Sequence, residues 1–187
     1  MGRKNFGPKS VICPEPVLII AAYGEDGSVN AMNAAWGGIH DTNEIYMCLS
    51  CGHKTVKNLL SAGAFTVSMG EERYVAACDY LGIHSGNDME DKFERSGLTA
   101  AKSAFVNAPV INELSVCLEC TLKSYDPDSG SLVGNIVNVS VDDSMLTDDG
   151  KVDVSKLRPI TYDSFNHTYR VVGETVAKAY SVGKTIG

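Results

Sequence analysis

The sequence predicts a mainly β fold, an antiparallel barrel that carries inserted helices. Three observations lead there: short apolar runs bounded by turn residues, helical periodicity confined to the middle of the chain, and no alternation of strand and helix. From Pro16, PVLIIAAY reads as a buried strand, and GEDGS supplies an Asp26-Gly27 turn into VNAMNAAW, its hairpin partner. EIYMCLS at 44–50 is a third strand. HKTVKNLLSAG then puts Val56, Leu59 and Leu60 on one helical face, with Thr55 as N-cap and Gly63 as the stop. Residues 64–69 form another strand, and EERYVAACDYLG a second helix closed by Gly82. IHSGNDMEDKFERSGL predicts an exposed loop with one helical turn over 90–95. Strands at 116–125, 132–142 and 168–172 complete the set, joined by DPDSGS and SMLTDDGKVDVSKLRP. No linker interrupts the series, so 1–187 reads as one domain.

Composition narrows the partners. Sixteen Lys and Arg against 23 Asp and Glu leave a net charge of −7, and no five-residue run is dominated by basic residues. Nucleic acid and anionic membranes, which are held by clustered cations, are therefore not expected as main partners. A small anionic ligand needs only a local pocket. The longest apolar run, 17–23, has seven residues where a membrane-spanning helix needs about 20. Six cysteines without an export signal read as reduced thiols of a cytoplasmic protein.

Cys48 and Cys51 in CLSC, and Cys117 and Cys120 in CLEC, imitate a zinc site. Sixty-five residues separate the pairs, against about 15 to 20 in zinc ribbons, and side chains three apart on a strand face opposite ways. Buried, unreactive thiols are the simpler expectation, with no metal. The terminal GKT at 183–185 lacks both the upstream Gly and the following helix of a phosphate loop, and no GxGxxG or GxSxG occurs. No catalytic side-chain constellation is visible.

What remains is a set of polar segments at strand ends. Asn30 and Asn33 alternate with small residues up to Trp36, which suits either a ligand against the backbone or a plain hairpin. CGHKT ends a strand and opens a helix. Its backbone N–H groups, the Thr55 hydroxyl and the charge of His53 or Lys54 suit a phosphate, or simply cap a helix. Ser85 and Lys92 lie in a Gly-containing loop that either meets the same anion or is solvated.

Taken in order, CPEPVLIIAAYGEDGSVNAMNAAWGG, SCGHKTVKNL, HSGNDMEDKFERSGL, VCLECTL, VGNIVNV, LRPITYD and YRVVGETVAKAYSVGK resemble the flavin reductase-like family of FMN-binding split barrels, over roughly 9–184. The resemblance implies a six-stranded Greek-key split barrel and a homodimer with one FMN per subunit near the interface. It implies that Asn30, Asn33, Ala34, Ala35 and Trp36 meet the ring and ribityl chain. Ser50, Cys51, His53, Lys54 and Thr55 would line the phosphate end, Ser85 and Lys92 would close over it, and Phe165 would approach the ring. NADH or NADPH is the implied hydride donor. A flavoredoxin-like carrier that exchanges electrons with a redox protein partner is the alternative. His53-Lys54 stands where relatives often have Arg, and Ser129-Gly130-Ser131 replaces a common GD or GDH.

Overall fold

The computed structural model describes residues 2–186. The chain runs through β1 (Glu15–Pro16), β2 (Leu18–Tyr23), β3 (Val29–Ala34), β4 (Gly37–Asp41) and β5 (Glu44–Cys48), then α1 (Lys54–Ala62) and β6 (Ala64–Met69). A 3-10 turn leads into α2 (Val75–Ile83), followed by α3 (Lys92–Arg95), β7 (Ala100–Lys102) and β8 (Pro109–Ile111). The long hairpin β9 (Val116–Asp126) and β10 (Ser131–Val141), then α4 (Val154–Leu157), β11 (Ile160–Asp163) and β12 (Thr168–Val171), complete it.

Every strand pairing is antiparallel, and seven strands form one sheet in the order β3-β2-β6-β9-β10-β5-β4. Its two outer strands, β3 and β4, are consecutive in the chain and joined only by Ala35 and Trp36. Three Cα steps reach at most about 11 Å, so the sheet must curl until its edges nearly meet. That is a split barrel, and Trp36 stands at the split. The sheet has seven strands where six were implied, because GGIHD, with two glycines and no apolar alternation, forms the hairpin partner of β5. The strands at 100–102, 109–111 and 160–163 also escape a periodicity reading, being only three or four residues long.

Strand β2 is apolar throughout because both of its faces are covered. Leu18, Ile20 and Ala22 join a core with Phe65, Met47, Val56 and Leu59, whereas Val17, Ile19 and Ala21 join another with Cys78, Leu81, Phe93 and Leu98. Helix α1 seals the first core and α2 the second. Gly63 closes α1 in the left-handed conformation, φ 68°, its N–H donating to Leu59 O. The α1 N-cap is His53 rather than Thr55, and Leu60 points outward. Helix α2 runs one residue past Gly82. A Cβ at Gly82 would lie 3.2 Å from the Asn33 Cβ, so this glycine admits β3 rather than stopping the helix. The 83–98 segment is not the exposed loop expected, since Lys92, Phe93 and Leu98 are buried. Among the described residues, no helix is long and apolar enough to cross a membrane.

Candidate functional site

Strand β3 is an outer strand, and its two asparagines, three apart, project from opposite faces. Asn30 turns toward α1, where its Oδ1 accepts a 2.7 Å hydrogen bond from the buried Thr55 hydroxyl. Asn33 turns toward α2, where its Nδ2 donates to Cys78 O at 3.1 Å. The segment that follows α2 crosses the strand edge between them. A cleft results, lined by Asn30, Asn33, His53, Lys54, Thr55, Ser85 and Lys92 together with His84 and Gly86.

The electrostatics of this cleft favour an anion. No side chain caps the first turn of α1, so its N–H groups remain open at the positive end of the helix. Lys92 is only 3% exposed, and no carboxylate pairs with it among the described residues. Burial pulls its ammonium down to about 8. Gly86 lies so close that a Cβ there would be 2.2 Å from the Asn30 Nδ2. Asn87 ties the two loops of the cleft, its Nδ2 donating to Gly52 O at 2.9 Å and its Oδ1 accepting from Lys57 Nζ at 2.9 Å.

The cleft continues along the sheet edge. His53 also borders a depression of about 410 Å³ containing Ser50, Cys51, Cys48 and Trp36. Asn33 borders another of about 380 Å³ that includes Ala34 and Ala35. Trp36, 56% exposed at the split, lines the first of these hollows. Ser50 turns the chain into α1, with its Oγ accepting from Gly52 N and its O from His53 N.

A family model, the flavin reductase like domain, matches residues 11–164. This chain belongs to the flavin reductase-like family. As a flavin reductase-like protein it superposes on flavoredoxin of Desulfovibrio vulgaris (Miyazaki F) with a TM-score of 0.92 at 35% identity, covering 97% of this chain and 100% of that one. An FMN-binding domain of a flavin reductase-like enzyme from Shewanella baltica shares the fold, with a TM-score of 0.78 at 18% identity over 88% of this chain and 89% of the other. An uncharacterized protein of Aquifex aeolicus (strain VF5) is 27% identical over 177 residues, 90% of each chain.

Twelve of the thirteen site residues read from the sequence of this flavin reductase-like chain line the cleft or its two adjoining hollows. Phe165 does not. It is 60% exposed in the β11–β12 turn, its N–H donating to Asp163 Oδ1. The Thr55 hydroxyl is committed to Asn30 rather than open to an anion. Sequence reasoning missed His84, Gly86 and Asn87, which sit among Ser85 and Asp88 in a segment without periodicity. The expectation of buried thiols holds for Cys78, Cys117 and Cys120 only. Cys13 and Cys51 are exposed and Cys48 is half-buried, because β5 ends at Cys48 and Cys51 sits in the turn beyond it.

Proposed function

We propose that this chain binds FMN along the outer strand β3 and passes reducing equivalents through it. The carrying observation is Lys92: a buried ammonium without a counter-ion is costly, and a phosphate at the open N-terminus of α1 supplies one. The residues present fit that group, since Gly86 removes the Cβ that would fill the cleft and the first turn of α1 leaves its donors open. In this reading Lys92, the α1 N–H groups and Ser85 hold the phosphate, while His53 and Lys54 add charge at its rim. Asn30 and Asn33 orient the ribityl chain and ring edge. Ala34 and Ala35 let the ring approach the backbone, and Trp36, Ser50 and Cys51 flank it. Phe165, exposed in the β11–β12 turn, lies outside this set.

Bound FMN supplies one- and two-electron chemistry at its ring, which no side chain here replaces. The protein contributes position and partial exclusion of water. For the donor, family membership favours NADH or NADPH acting on the protein as an oxidoreductase. A second reading, an electron carrier for a redox protein partner, is favoured by the 35% identity with Desulfovibrio vulgaris flavoredoxin over nearly the whole chain. A cytoplasmic homodimer of single-domain subunits, with FMN near the interface, belongs to the same proposal.

The visible spectrum before and after desalting, with calorimetric FMN titration, tests the central reading. A colourless protein that takes up no FMN overturns it. Anaerobic stopped-flow mixing with NADH and NADPH separates the donors. Rapid bleaching supports the nicotinamide reading, and bleaching by a reduced protein alone supports the carrier.

A further inference from the structure

We propose that residues 173–186 are an exchange arm that docks on a second copy of this chain. The arm enters the hollow beside the N-terminal segment 9–16, where Lys178 meets the Glu15 carboxylate and Tyr180 covers Trp36. This deepens the homodimer proposed above and rests on it.

The hollow has a volume of about 630 Å³, with Val11, Ile12, Pro16, Trp36 and Tyr46 among its walls. None of Asn30, Asn33, Ala34, Ser50 or Thr55 lines it, so it meets the FMN cleft only at Ala35 and Trp36. Glu15 belongs to the same lining. It is 4% exposed, its Oε2 has no hydrogen-bond partner, and no ion pair includes it among the described residues. Lys9, which also borders the hollow, lies over the Phe6 ring instead, 5.8 Å from its centroid. A buried carboxylate without a partner is costly, and an arriving cation relieves that cost.

The arm carries what the hollow lacks. After Val172 N donates to Pro159 O, every hydrogen bond of 173–186 stays within the segment among the described residues. Val176 and Tyr180 are each 98% exposed and Ile186 is 89% exposed, so these apolar groups find no cover within their own copy. Lys178 stands between Val176 and Tyr180, which matches a carboxylate set among apolar walls. The arm holds two lysines and one glutamate in a chain of net charge −7, so it is drawn to the acidic body of another copy. The superposition on Desulfovibrio vulgaris flavoredoxin covers 97% of this chain, too much to leave out a fourteen-residue arm. Two identical chains each offer one arm and one hollow, and a twofold axis satisfies both at once.

Trp36 is the one tryptophan of the chain, so its fluorescence reports the hollow directly. Light scattering of the full chain should show a dimer, and dilution should shift the Trp36 emission to longer wavelength as the arms leave. Lys178→Met should raise the dissociation constant about tenfold or more, as loss of a charge-assisted bond implies. Tyr180→Ala should raise it as well. In a Glu15→Gln background, Lys178→Met should add little, because the pair is already broken. A lysine-directed cross-linker applied to mixed ¹⁴N and ¹⁵N protein should join Lys9 to Lys178 in peptide pairs of unlike isotope. Dimers without that link, or with a dissociation constant indifferent to both arm substitutions, overturn the arm and leave the homodimer standing. Links of like isotope alone show an arm folded on its own copy and overturn the exchange. A chain that stays monomeric at every concentration removes the homodimer and the arm together.

Discussion

The Thr55 hydroxyl donates a 2.7 Å hydrogen bond to the Asn30 Oδ1, joining the first turn of α1 to the outer strand β3 with both side chains buried. The bond orients the Asn30 amide, whose Nδ2 lies against Gly86. Three segments far apart in the chain are thus registered by one side-chain pair.

Thr55→Val keeps the shape and removes the donor, which leaves a buried carbonyl oxygen unsatisfied. Urea denaturation should show a loss of about 1 to 3 kcal/mol. FMN affinity should fall with it, since Asn30 is released to rotate, and calorimetry reads that fall.

Lys92 predicts opposite pH responses for binding and stability. Its ammonium, held near 8 by burial, is charged below that pH and neutral above it. FMN affinity should therefore decline as pH rises through 8, in a range where the phosphate is already dianionic. In the unfolded chain the same group titrates near 10.4, so between about 8 and 10 the unfolded state binds more protons and this lysine's unfavourable contribution to stability is relieved. His53, Lys54 and His84 share the cleft, so the comparison is made against Lys92→Met. That variant should bind FMN weakly at every pH and lack the decline at 8. An identical pH profile in both proteins would remove Lys92 from the phosphate site.

Gly86→Ala tests the closeness of the loop to β3. The new Cβ would lie 2.2 Å from Asn30 Nδ2 and 3.0 Å from its Cγ, so the amide or the loop must shift. Overpacking of this kind costs about 1 to 3 kcal/mol. FMN titration should show affinity reduced by at least about tenfold, which 1.4 kcal/mol would produce. Gly2, which has open space around it, serves as the control, with Gly2→Ala leaving both measurements unchanged.

Thiol reactivity should divide the six cysteines. Burial pushes Cys78 and Cys117 up to about 11 and Cys120 up to about 12, so these remain protonated and shielded at pH 8. Cys13 and Cys51 are exposed. With a chromogenic disulfide reagent, Cys13 and Cys51 should react first and the three buried thiols only after denaturation. Mass spectrometry of the labelled peptides assigns them.

The long strands and α1 were legible because each carries a local signature. PVLIIAAY is apolar without interruption, Gly63 supplies a left-handed stop, and Asp26-Gly27 marks a hairpin turn. Strand β4 was not legible, since Gly37 and Gly38 erase its alternation. Its existence depends on pairing with β5. The second helix extended past Gly82 for a comparable reason, as the glycine answers to Asn33 across the interface rather than to the helix itself.

Local sequence alone determined that the chain is mainly β, where its hairpins turn and which segments carry polar groups fit for an anion, because propensity and period act between near neighbours. Which of those groups meet was decided by the tertiary structure. Asn30 meets Thr55 and Asn33 meets the Cys78 carbonyl, Lys92 is buried rather than solvated, and Asn87 bridges two loops. Each is a meeting of residues distant in the chain, which propensity and period between near neighbours do not encode.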